Sequence, residues 1–168
     1  MSGVLEFASV GRRVEGKLDA KSLPRLAKLL DGLAGNDDAQ VAYEAAGFIR
    51  SDGHPAIRLR VAGRLMLACG LCLTECPWSF ESERELVFMP QDVAGAFEDD
   101  PEDISDVLPL EGPLAIEELV EDEVLLSMPM APAHAPGGCP EGAKPEAAGS
   151  PNAFGQLMVL KQAGSKKH

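Results

Sequence analysis

The sequence predicts an α+β fold: an antiparallel β-meander with two packed helices, followed by a flexible Pro/Gly-rich C-terminal arm. Three observations predict it. Residues 56–68 alternate in polarity, with Ile57, Leu59, Val61, Leu65 and Leu67 on one face and Arg58, Arg60, Arg64 and Met66 on the other, which is the period of a half-buried strand. Residues 22–33 and 113–127 instead repeat their apolar positions at helical spacing. Residues 129–151 are rich in Pro, Gly and Ala, a composition that supports little structure of its own.

The elements follow in order. In the segment SLPRLAKLLDGL, Ser22 can cap a helix whose apolar face is Leu23, Leu26, Leu30 and Leu33. Gly32 and Gly35 punctuate its end, and Lys21, Arg25 and Lys28 line a neighbouring face. Residues 40–50 read as a strand, and Ser51-Asp52-Gly53 supplies the turn into the next one. That strand, 56–68, is expected to bulge at Gly63. A third strand spans 78–88 with Glu81, Glu83 and Glu85 on its wet face. Residues 91–112 are acidic and read as a loop, and Pro113 suits the first turn of the helix after it. Its apolar stripe is Ile116, Leu119, Val120 and Val124, and Pro129 stops it. The chain therefore divides into one domain over 1–128, a linker over 129–151, and a short amphipathic segment with a basic tail over 152–168. In that last part Phe154, Leu157 and Leu160 share a face.

The chain has 168 residues, 45% of them apolar and 5% aromatic, so one domain with an aliphatic core is expected. The net charge of −12 is unevenly placed: residues 1–64 carry ten Lys+Arg against eight Asp+Glu, and the remainder five against nineteen. The first part suits RNA or an acidic surface; the second suits a basic protein partner; plain solvated charge explains either. The N-terminal residues lack the long apolar run of a secretory signal, and no apolar stretch is long enough to span a bilayer. The expectation is a cytoplasmic protein that contacts no membrane. In a reducing compartment four cysteines point to thiols or metal ligands before disulfides.

Cys69 and Cys72 form a CxxC between the second and third predicted strands, and His134 and Cys139 form an HxxxxC far downstream. The bend of a CxxC aims two sulfurs at one point, and a Cys3His set is a structural zinc site. Cys76 competes as a ligand, and ordinary reduced thiols are the plain alternative. A redox role is disfavoured because strands flank the pair, where thiol activation needs a helix N-terminus. Arg58, Arg60 and Arg64 sit at even positions of one strand and can track phosphates, or can pair with Glu81, Glu83 and Glu85 across it. Glu117, Glu118, Glu121 and Asp122 form an acidic helix face able to dock a basic protein. No Gly-rich phosphate loop or GxSxG elbow is present. The carboxylates of 98–106 lack the spacing of a calcium loop.

Four stretches resemble the YceD family, the large ribosomal RNA subunit accumulation proteins. They are the strand into Cys69-Gly70-Leu71-Cys72-Leu73, the run LVEDEVLLSMPMAPAH at 119–134, the His134…Cys139 spacing, and Asn152-Ala153-Phe154 followed by Leu157, Leu160 and Lys161. The chain departs from the family at Leu71, where the family often has Arg, at Ala153, where it usually has Pro, and in the extra Cys76. The resemblance implies a factor for accumulation or processing of 23S ribosomal RNA, with no known reaction. It is expected to be non-enzymatic, with a ribosomal or assembly protein and ribosomal RNA as partners and no small-molecule substrate. Two rivals stand beside it: a zinc-stapled protein-interaction module acting on rRNA indirectly, and a metal-dependent RNA-processing enzyme using the 98–106 carboxylates.

Overall fold

A computed structural model of the chain describes residues 3–90, 106–110 and 113–140. Five strands make one sheet in sequence order: β1 (Arg13–Asp19), β2 (Gln40–Ile49), β3 (Pro55–Ala68), β4 (Glu75–Met89) and β5 (Asp106–Pro109). The first four pair antiparallel, as a meander requires, but β5 lies parallel to β4. The sheet is therefore mixed. Residues 106–109, expected within a loop, are an edge strand, a position that tolerates Pro109 because its missing N–H faces no ladder partner.

The strand pairing fixes two faces. Odd residues of β3 and even residues of β4 share one of them, because their cross-strand partners pair Leu59 with Arg84, Val61 with Ser82 and Leu67 with Cys76. On this face Ile57, Leu59, Val61, Leu65 and Leu67 are buried. The opposite face carries Arg58, Arg60 and Arg64 against Glu85, Glu83 and Ser79. No bulge forms at Gly63: its pairing with Val41 and Phe80 continues the register on both sides without a step.

Helices cover the apolar face. They are α1 (Val4–Ser9), α2 (Pro24–Leu29) and α3 (Ile116–Ser127). The predicted helix over 22–33 is shorter than its leucine periodicity implied. Ser22 belongs to a 3₁₀ turn, Ala20–Ser22, whose cap is Asp19, and Ser22 Oγ donates to the Asp19 carbonyl at 2.7 Å. Pro24 then opens α2, and the left-handed Gly32 (φ 80°) lies just beyond its end. α3 starts at Ile116, so Pro113 precedes it. Its Val120 and Val124 are buried with Leu23, Leu26 and Leu59 in a single core. Among the described residues no helix is long and apolar enough to cross a membrane.

α1 comes close enough to β2 to dictate a glycine. A Cβ on Gly47 would meet the Phe7 ring at 2.6 Å and the Phe7 carbonyl at 2.7 Å. The carbonyl is backbone and cannot rotate away. Gly47→Ala is expected to push α1 off the sheet and cost about 1–3 kcal/mol, read as a lowered urea midpoint at unchanged slope.

Candidate metal centre

The β3–β4 connection is a six-residue loop, Cys69 to Thr74, that closes on itself. Leu73 N–H donates to the Cys69 carbonyl and Cys69 N–H to the Thr74 carbonyl, both at 2.9 Å. Leu73 takes the left-handed conformation (φ 62°) to make this closure. Cys69 continues the inward alternation of β3 and is fully buried. Cys72 turns in from the far side of the loop.

The chain beyond α3 supplies the other half. Gly70 N–H donates to the Pro132 carbonyl at 2.8 Å, which lays residues 129–134 along the loop. A turn then brings Cys139 back: Gly138 N–H donates to the Ala135 carbonyl, and Gly137 holds φ 79°. The start of the predicted linker is thus wrapped around the hairpin tip. The rest of that linker and the amphipathic segment of 152–168 lie outside the described residues.

One donor atom each from Cys69, Cys72, His134 and Cys139 falls in a group whose members are all within 4.8 Å of one another. Cys69 and Cys139 sulfurs are 4.0 Å apart, and His134 Nδ1 is 3.5 Å from Cys72 Sγ and 3.7 Å from Cys139 Sγ. Tetrahedral zinc at ordinary bond lengths needs about 3.8 Å between sulfurs and about 3.5 Å between sulfur and nitrogen. The group fits that ion. Sulfur-rich donor sets also suit zinc over the hard cations that prefer oxygen.

The surroundings orient the donors. His134 Nε2 donates to the Glu75 carbonyl at 3.0 Å, which leaves Nδ1 with a lone pair facing the sulfurs. Leu71 N–H donates to Cys69 Sγ at 3.4 Å, and Thr74 Oγ1 lies 3.1 Å from Cys72 Sγ. The Leu71 and Cys72 backbone donors hold the Cys69 thiol down to about 5. Burial, reinforced by the neighbouring sulfurs, pushes Cys139 up to about 11. The contrast follows from backbone N–H donors at Cys69 and burial at Cys139; a divalent cation would draw the thiols into the ionised form.

Cys76, the competing ligand, lies in β4 outside this group, and burial raises its thiol. The basic row is placed as the strand period required, but largely paired. Arg60 Nε is 2.9 Å from Glu83, and Arg58 reaches Glu83 and Glu85 at 3.6 and 3.5 Å. Arg64, opposite Ser79, meets no carboxylate among the described residues. The acidic helix face divides. Glu117 and Glu118 are exposed and Asp122 pairs with Arg25 at 2.6 Å, but Glu121 is turned into the protein. Of the 98–106 carboxylates, only Asp106 is among the described residues, on the edge strand.

Sequence reasoning missed the residues that set the donors. The Glu75 and Pro132 carbonyls act through the backbone, and residue type carries no signal for that. Thr74 was legible only as a hydroxyl two residues after a cysteine. A family model described as "Large ribosomal RNA subunit accumulation protein YceD" matches residues 57–156, which takes in all four donors. No curated protein and no solved structure matches the chain.

Proposed function

This chain belongs to the YceD family of large ribosomal RNA subunit accumulation proteins, and we propose that it serves that accumulation by binding and not by catalysis, through a protein contact on a zinc-stapled scaffold. The observation that carries this reading is the closed donor set. Four protein donors within 4.8 Å leave no position for a water or substrate, which is the pattern of structural zinc and not of catalytic zinc. Cys69, Cys72, His134 and Cys139 would hold the ion, and the ion would supply a cross-link between the hairpin tip and the chain after α3.

Protein contact is favoured over RNA contact by the pairing of the basic row. Arg58 and Arg60 spend their charge on Glu83 and Glu85, so few phosphates can be neutralised there. Replacing Arg58, Arg60 and Arg64 together by glutamine is expected to change the salt slope of ribosomal RNA binding by about one phosphate, the share of Arg64, and not by three. A drop of three in that slope would make the row an RNA track; no change would remove RNA from this face.

The test of the reading is affinity purification of the tagged protein from cells, with and without ribonuclease. Large-subunit proteins retained after digestion support protein contact, and their complete loss rejects it. Cleavage of precursor rRNA by the purified, zinc-loaded protein would reject the non-enzymatic assignment.

A further inference from the structure

We infer that Leu73, flanked by Leu71 and Met130, is the apolar anchor by which this protein docks into a groove of a basic protein partner. The inference deepens the proposed protein contact and rests on it. Its basis is a contradiction between backbone and side chain at one residue. Leu73 holds φ 62° because the loop must close on Cys69 and Thr74. Glycine adopts that conformation freely and asparagine tolerates it, whereas a leucine Cβ crowds the following carbonyl. The side chain gains nothing from folding in return, since Leu73 is 79% exposed. A residue that is strained and unpacked in the isolated protein contributes only when something else covers it.

The neighbourhood has the same character. Leu71, on the same loop, is 60% exposed, and Met130 is fully exposed on the segment that the Gly70–Pro132 hydrogen bond ties to that loop. Three large exposed apolar side chains thus lie on the loop and on the segment bonded to it, next to the donor cluster. Preorganisation of this kind lowers the entropy cost of docking.

Charge identifies the occupant. The loop's exit residue, Glu75, places its carboxylate 3.4 Å from the Gly35 N–H and meets no Lys or Arg in an ion pair among the described residues. Residues 66–77 and 126–134, which build the tip, contain no Lys or Arg, and Glu75 is their one carboxylate. A tip without cations does not attract phosphate, and aliphatic side chains offer bases no stacking platform. A protein with lysine or arginine around an apolar groove complements both features.

The experiment uses the full, zinc-loaded chain and its Leu73→Gly and Leu73→Asn variants. The probe is the RNA-free set of basic proteins stripped from purified large ribosomal subunits with concentrated salt. Both variants are expected to hold one zinc and to melt no lower than wild type, Leu73→Asn higher by up to about 4 °C. Wild type retains members of the set, and both variants lose at least tenfold in affinity. Binding equal to wild type overturns the inference, as does a lowered melting point, which would make Leu73 a packing residue. Weakened binding to purified ribosomal RNA in place of protein overturns the choice of partner. In cells, a deletion without rRNA effect defeats the family-based function itself, whereas a deletion that lowers rRNA and a Leu73→Asn that restores it defeats only this inference.

Discussion

Purified with zinc, the wild-type chain is expected to hold one equivalent of the ion and Cys69→Ser none. Cys69 is the donor with the least freedom: it is fully buried at the end of β3, and its sulfur lies 4.0 Å from that of Cys139. A serine hydroxyl is a poor zinc ligand and stays protonated, so the remaining three donors lose the fourth corner. Structural zinc contributes about 10–16 kcal/mol in finger peptides that have no other core. Here a five-stranded sheet keeps its own core, so only the wrapped segment after α3 depends on the ion. The expected cost is about 3 kcal/mol, a fall in melting temperature of about 6–12 °C for a chain of this size. Amide exchange at residues 129–140 should rise while that of β2 and β3 stays protected. Cys76→Ala is the control, because Cys76 stands outside the donor group and its loss should leave the stoichiometry at one. Retained zinc in Cys69→Ser, or zinc lost in Cys76→Ala, would reject the centre.

Glu121→Ala is expected to destabilise the fold by about 2–3 kcal/mol, through the loss of a buried carboxylate's donors and of a helix cap. α2 starts without a side-chain cap of its own, since its N-cap residue is Leu23. Glu121, on α3, supplies the acceptor from outside: its Oε1 takes the N–H groups of Arg25 at 2.6 Å and Leu26 at 3.0 Å. Its Oε2 meets Arg25 Nε at 2.8 Å. The carboxylate thus joins two helices as well as capping one. Burial alone would raise its pKa, but the Leu26 N–H, then the Arg25 side chain and N–H, outweigh burial and hold it below the ordinary range. The folded pKa is depressed, so the contribution is complete above the unfolded glutamate value of about 4.3 and is lost as pH falls through the folded value. Urea titrations from pH 6 downward should therefore show Glu121→Gln converging on wild type in acid. Glu118→Ala, on the exposed part of the same helix, should stay within about 0.5 kcal/mol of wild type. An equal effect from both substitutions would defeat the capping argument.

The elements that were legible are those whose signal is local. The alternation of Ile57 to Leu67 gave β3 nearly its full length, and the Asp-Gly turn gave the β2–β3 hairpin. β1 alternates too, Val14, Gly16 and Leu18 against Arg13, Glu15 and Lys17, but its inner face is only half-buried. Gly16 leaves the Tyr43 ring room across the pair, with its own Cβ position 3.1 Å from that ring. A glycine serving that purpose weakens the very pattern that would reveal the strand. α1 has six residues, and β5 has four, too few for either period to register. The leucine spacing over 22–33 overstated α2 because Leu23, Leu30 and Leu33, which lie outside the helix, turn into the same core as Leu26.

The four donors were nameable from the sequence because sulfur and imidazole are rare, and their chemistry is independent of context. The sequence alone also determined the strand faces, and therefore that three arginines share a side. Tertiary structure decided what those groups do. It spent Arg58 and Arg60 on neighbouring glutamates, drew Glu121 out of an acidic face to cap a helix ninety-odd residues away, and left Leu73 strained in solvent. The physical reason is that a residue's type fixes which interactions it can make, while long-range packing decides which of its competing partners comes within reach.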